Sequence, residues 1–201
     1  MAGFEVISAR PLDARLLQLD GISRATTEAH HRLYQGYVAK RNEILALLDD
    51  VDLEQANQVY SVLRSLKLDL TFAVGAIKNH EVYFGHLGGE GGNPNGMFGR
   101  LVERDFGSFD RWRADLRATG LAGRGWAWTV YDWDESRLRN LLGDAQNTYP
   151  VWNATPLVAL DVHEHAYFLD YQTDRASYID AFFENLDWEA VNGWIDTYRI
   201  S

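Results

Sequence analysis

The sequence predicts an α+β fold: an N-terminal antiparallel helical hairpin followed by a C-terminal α/β domain, in which helices pack a three-stranded antiparallel sheet. Three observations carry this expectation. Two long stretches of helical apolar periodicity, joined by the acidic turn Asp49-Asp50-Val51-Asp52, occupy the first part of the chain and should form a hairpin. The stretch from Leu87 to Met97 contains five glycines and a proline, which no regular element tolerates. Beyond it, short aromatic and β-branched runs alternate with turn residues, the pattern of strands. A helical hairpin domain over 1–88, a Gly-rich linker over 88–96 and an α/β domain over 97–201 follow.

Taken in order, residues 1–21 are irregular, punctuated by Pro11 and Gly21. Ser23 is a candidate N-cap for a helix over 24–48, where Ala29, Leu33, Tyr37, Ile44, Leu45 and Leu48 recur at helical spacing. The second helix spans 53–86, with Val59, Val62, Leu63, Leu66, Leu70, Ala73 and Ile77 as its apolar stripe. The Gly-rich linker lacks the Gly-Lys-Ser/Thr ending and the strand-to-helix setting of a phosphate-binding loop, so it reads as a plain boundary. Asp105-Phe106-Gly107 shares its letters with protein kinases, but the other kinase motifs are missing. Ser108 caps a helix over 108–119. Strands follow at Gly125–Tyr131, Leu138–Leu142 and Pro156–Asp161, the last two joined through the turn Gly143–Asn147; Trp126, Trp128 and Val130 share a face. Asp174 opens a helix over 175–185, Asn185–Trp188 breaks it, and a last helix runs over 188–198.

Composition narrows the function classes. A chain of 201 residues, 46% apolar with 26 aromatic residues (Trp 7, Tyr 10, Phe 9), can bury a substantial core. It has no cysteine, so disulfides and thiolate metal sites are excluded and any metal must be held by histidine and carboxylate. A net charge of −10 argues against nucleic acid as a partner, and an anionic substrate would need local Lys or Arg against that field. The start, Met1 to Arg10, has no apolar signal-peptide core, which predicts a cytoplasmic protein. No apolar run approaches the roughly 20 residues of a membrane span.

The chemistry concentrates in Leu160-Asp161-Val162-His163-Glu164-His165-Ala166-Tyr167. An apolar strand ends at Asp161, and a carboxylate followed by alternating histidines puts several metal-ligand types on a short backbone. Asp161 and His165 are four apart, so a helical turn after the strand would aim both into one pocket. His30 lies near the start of the first predicted helix, with Tyr34 and Tyr37 on the same face. His80 lies near the end of the second and continues its apolar stripe. A core-facing histidine needs a partner, either a metal or another side chain. In an antiparallel hairpin these two ends are adjacent.

Asp-Val-X-Glu-His-Ala-Tyr-X-Leu-X-Tyr, from Asp161 to Tyr171, resembles the signature of the iron/manganese superoxide dismutase family. The segments Ala76–His80, Asp105–Ser108 and Asn185–Asn192 are also similar to it, so the resemblance covers roughly residues 60–198 and more loosely 23–59. It implies a mononuclear Mn or Fe site, one ion per chain, between the two domains, with His30, His80, Asp161 and His165 as ligands. His31 is the alternative first ligand; it lies about 100° round the helix from His30, so both cannot face one ion. The resemblance further implies Tyr34 and Gln146 as catalytic residues. Tyr34 is preferred to Tyr37 as the gate because it is the i+4 neighbour of His30. Gln146 from the sheet turn, with the small Ala76 opposite, goes with the manganese-type arrangement. Trp128 would wall the site, Arg175 would supply local positive potential, and Glu164 and Tyr167 would cross a homodimer interface. Three departures stand out: His163 replaces the usual Trp, Phe84 replaces another, and Ala29 rather than His lies eight residues before Tyr37.

The implied reaction is the dismutation of superoxide to dioxygen and hydrogen peroxide, with superoxide as the small-molecule partner and neither nucleic acid nor membrane involved. The alternatives are a non-catalytic protein that keeps this fold for a structural or interaction role, and another metal oxidoreductase or a hydrolase with Zn in a His/Asp site.

Overall fold

The computed structural model describes residues 4–147 and 151–201; Met1–Gly3, part of the stretch expected to be irregular, lie outside the described residues. The first long helix, α1 (Arg24–Asp49), starts where Ser23 accepts the Thr26 amide. The second, α2 (Val62–Gly85), starts later than expected, because Ser61 accepts the Arg64 amide and caps it there. Residues 53–61 are instead a short 3-10 turn and an Asn57-centred turn, in which Asn57 Oδ1 accepts from Val59 and Tyr60. Val59 therefore leaves the apolar stripe and is 84% exposed.

α1 and α2 run antiparallel. Ile44 and Leu48 pack on Ala73 at one end, and the His30 and His80 rings lie 4.9 Å apart at the other. The Gly-rich stretch is fastened rather than free. Gly88 donates to Asn185 O at 2.9 Å, and Trp188 Nε1 donates to Gly91 O at 2.9 Å. A helix the sequence reading did not find, α3 (Gly96–Phe106), follows it and buries Phe98, Leu101 and Val102. α4 (Phe109–Ala122) is capped by Ser108 as expected.

The sheet has strand order β2-β1-β3, antiparallel throughout, with β1 (Trp126–Asp132), β2 (Arg137–Gly143) and β3 (Ala154–Asp161). Its register with β3 shifts between Thr129 and Val130, opposite Pro156 on the edge strand, where a residue without an N–H is tolerated. α4 is pinned to the sheet by Trp112 Nε1 donating to Thr129 Oγ1 at 2.9 Å. A single turn, α5 (Phe168–Tyr171), leads to α6 (Arg175–Glu184) and α7 (Trp188–Tyr198). Leu157 to Leu160 of β3, Leu116 of α4, Phe182 of α6 and Val191 of α7 share one core. Among the described residues, no helix is long and apolar enough to cross a membrane.

Candidate metal centre

Four side chains from three places converge: His30 from α1, His80 from α2, and Asp161 and His165 from the end of β3 and the turn beyond it. Each offers one ligand atom, and the four atoms lie within 4.8 Å of one another. Asp161 Oδ2 is the common point. His30 Nε2 lies 3.0 Å from it, His165 Nε2 3.2 Å and His80 Nε2 3.7 Å. The chain leaves the strand at Val162 and makes one 3-10 turn over Glu164–Ala166, which brings His165 back beside Asp161.

The hydrogen bonds fix the chemistry of His80. Its Nδ1 lies 2.6 Å from Ala76 O; a carbonyl only accepts, so Nδ1 carries the proton and Nε2 presents a lone pair. That Nε2 is buried and has no hydrogen-bond partner among the described residues. A lone pair facing a carboxylate oxygen in a buried site is unfavourable unless a cation sits between them. Burial also pushes the His80 pKa down to about 3, so the ring is neutral at ordinary pH. Burial lowers the His30 pKa as well, against the pull of Asp161. Burial alone would raise the Asp161 pKa, but hydrogen bonds from His163, His165 and His30 hold it well below the usual carboxylate value. Burial opposes protonation of His165, and the bond to Asp161 overrides it and raises the pKa. Three imidazoles and one carboxylate, with an unpartnered nitrogen among them, suit a borderline ion such as Mn or Fe.

Around this centre the remaining expected site residues fall in several places. His31 turns away, its Nε2 3.0 Å from Arg10 O. Tyr34, expected as the gate, has its hydroxyl committed elsewhere: it donates to Glu81 Oε1 and accepts from the Arg10 amide, each at 2.9 Å. Tyr37 faces the centre, with its ring 5.5 Å from that of His80. Burial raises its phenol pKa and the Asp161 charge adds to this, while the Gln146 side chain acts the other way. Gln146 is buried and its Oε1 accepts from Trp126 Nε1 at 3.0 Å, which leaves its amide N–H groups to donate.

The tryptophan against His80 is Trp126, edge-on at 5.2 Å. Trp128, expected as the wall, stacks behind Trp126 at 6.4 Å and donates to Asn79 Oδ1. Phe84 fills the space between His30 and His31, 5.1 and 5.6 Å from their rings. Ala76 supplies the carbonyl for His80, and the neighbouring Gly75 packs against the backbone of Gln146. A Cβ at Gly75 would sit 2.2 Å from Gln146 O, a contact only glycine avoids. Arg175 is half-buried and donates to Gly123 O at 2.7 Å and to Tyr167 Oη at 3.2 Å. Glu164 is exposed beside His165, on the rim of a groove of about 560 Å³ that Leu33 and Phe168 also line.

The chain is similar to known proteins over most of its length. Residues 94–193 match the family model of the iron/manganese superoxide dismutases, C-terminal domain. The chain is 42% identical over 179 residues to a superoxide dismutase [Fe] of Aquifex aeolicus, covering 87% of this chain and 84% of that one. It is 36% identical over 184 residues to a superoxide dismutase [Fe] of Cupriavidus metallidurans, covering 90% and 91%. A superoxide dismutase [Mn] 2 of Halobacterium salinarum is 40% identical over 113 residues, 56% of each chain.

Proposed function

The chain belongs to the iron/manganese superoxide dismutase family, and from that premise we propose that it converts superoxide to dioxygen and hydrogen peroxide at one Mn or Fe ion held by His30, His80, Asp161 and His165. The observation that carries the proposal is the buried, unpartnered Nε2 of His80 aimed at Asp161 Oδ2. When bound, the ion supplies one-electron redox chemistry: an electron taken from one superoxide is passed to a second. The balance is two superoxide and two protons giving one dioxygen and one hydrogen peroxide.

The chain's own groups supply the rest. Asp161 contributes the one negative charge among the ligands, and the Ala76 carbonyl locks the His80 tautomer. We assign proton handling to Tyr37 and Gln146, because both face the centre and Gln146 is held by Trp126. Tyr34, with its hydroxyl bound to Glu81 and the Arg10 amide, positions the N-terminal segment over α1. Phe84, Trp126 and Tyr37 pack their rings against His30 and His80, which supports superoxide over the larger substrates of a hydrolase.

A homodimer in the cytoplasm belongs to the same proposal. In this reading a second copy covers the groove beside Glu164 and His165, with Glu164 reaching that copy's histidine ligand and Tyr167 beside it. Equilibrium sedimentation of Glu164→Ala should show a weakened dimer, and a monomeric parent protein would remove this role. The main test is elemental analysis of the purified protein with superoxide consumption on the same sample. About one Mn or Fe per chain with rapid consumption is expected, and both should vanish in His80→Ala. A metal-free parent protein that is stable and inactive would overturn the proposal.

A further inference from the structure

The two oxygens of Asp161 have different partners. Oδ2 faces the three ring nitrogens of His30, His80 and His165. Among the described residues Oδ1 faces only His163, which approaches it twice: through its backbone amide at 2.9 Å and through its ring Nδ1 at 2.8 Å. As a ligand of the ion Asp161 is a carboxylate, whose oxygen can only accept, so His163 Nδ1 carries a proton and donates. Any residue but proline at position 163 would supply the amide bond. The ring bond depends on histidine being there, and it is a charge-assisted hydrogen bond to a fully buried carboxylate.

The ring is also held in place. It stacks on His165 at 5.0 Å with an interplanar angle of 11° and meets Trp126 edge-on at 6.0 Å. Its far side lies against Gly125, where a Cβ would stand 3.0 Å from His163 Cε1. Backbone, stack and wall together leave Nδ1 one direction, toward Oδ1.

We propose that His163 is a positioning residue that clamps Asp161 Oδ1, so that the carboxylate offers the ion Oδ2 alone and offers it as a weakened donor. This rests on the function proposed above. Two hydrogen bonds on Oδ1 withdraw charge from the carboxylate, which favours the reduced ion over the oxidised one. His163 thus sets the redox balance of the centre without touching the ion.

The test compares His163→Phe, which keeps a flat ring but no donor, with His163→Asn, which keeps an N–H donor near the Nδ1 position but no ring. Both are measured as metal-loaded full-length protein by potentiometric titration, with metal content and superoxide consumption recorded alongside. His163→Phe should lower the midpoint potential, raising the oxidised-to-reduced ratio at the parent midpoint about tenfold. His163→Asn should return it toward the parent value. An unchanged midpoint in His163→Phe, or an equal shift in both variants, overturns the clamp while leaving the dismutase assignment intact. A parent protein that binds neither ion overturns the assignment and the clamp together.

Discussion

His86 shows how one buried side chain couples the fold to pH. Its Nε2 accepts the Ala159 amide at 2.9 Å, closing an N–H that edge strand β3 does not give to another strand. Its carbonyl accepts from Asp187 at 2.8 Å, so it also ties the end of α2 to the start of α7. Burial lowers its pKa from the ordinary 6.5 to about 4. The folded state therefore resists a proton that the unfolded state accepts. The stabilisation is complete above about pH 6.5 and is lost as pH falls toward 4, about 2 kcal/mol of it between pH 7 and pH 5. Denaturation of the metal-loaded protein at those two pH values should show this loss, and His86→Gln, which keeps an acceptor but cannot titrate, should lack that share of it. Equal pH dependence in both proteins would assign the loss to other groups. The sequence carries no signal for His86, whose partner is 73 residues away. Tyr34 is a similar case. Helical spacing places it one turn from His30, and it is there, yet its hydroxyl is claimed by Arg10 and Glu81, 24 and 47 residues distant. Strand alternation put Trp126 and Trp128 on one face, but only the structure shows that Trp126 is the one against His80. The pairing of Asp161 with His165 was legible because it is local: a strand end, a turn and a separation of four.

Elements were legible where a cap and an apolar period agree. α7 runs over the expected 188–198, opened by Asp187, whose carboxylate accepts from Glu189 and Ala190. α1 begins after Ser23, and the three strands lie within two residues of their expected limits. α3 was missed because its opening residues mask its period. Gly96 and Gly99 lower its intrinsic propensity, and Asn95 caps it without a side-chain bond. Its signal was Phe98, Leu101 and Val102, an i, i+3, i+4 triplet that turns out to be wholly buried. α2 was extended too far back because Val59 matched the period, while Ser61 was the better start signal. The contact between α2 and the turn after β2 was half legible. Ala76 was expected as the small residue that leaves the Gln146 side chain space; the close approach seen is a different one, between Gly75, one position before it, and the Gln146 backbone carbonyl. Helical rotation accounts for this. Ala76 lies one turn before His80 and gives it a carbonyl, while Gly75 is rotated about 100° toward the sheet.

The two halves of the chain meet at the candidate metal centre, and this governs how the whole protein should respond to losing a bound ion. His30 and His80 come from the hairpin, and Asp161 and His165 from the α/β half. An ion bound by all four ties α1, α2 and the end of β3 together. An ion present at 1,000 times its dissociation constant adds about 4 kcal/mol to the folded state. For a chain of 201 residues that corresponds to a rise in melting temperature of roughly 10 °C. Chelation should therefore lower the melting temperature by about that amount and reversibly, with stoichiometric Mn or Fe restoring it. The loss should also be uneven. Amides in the first half of α1, the last turns of α2 and residues 162–167 should exchange faster in the metal-free protein. The opposite end of the hairpin, where Ile44 and Leu48 pack on Ala73, should keep its protection, because its contacts do not involve the centre. Uniform loss of protection would mean that the ion stabilises the fold only as a whole, and an unchanged melting temperature would mean that packing alone holds the two halves together.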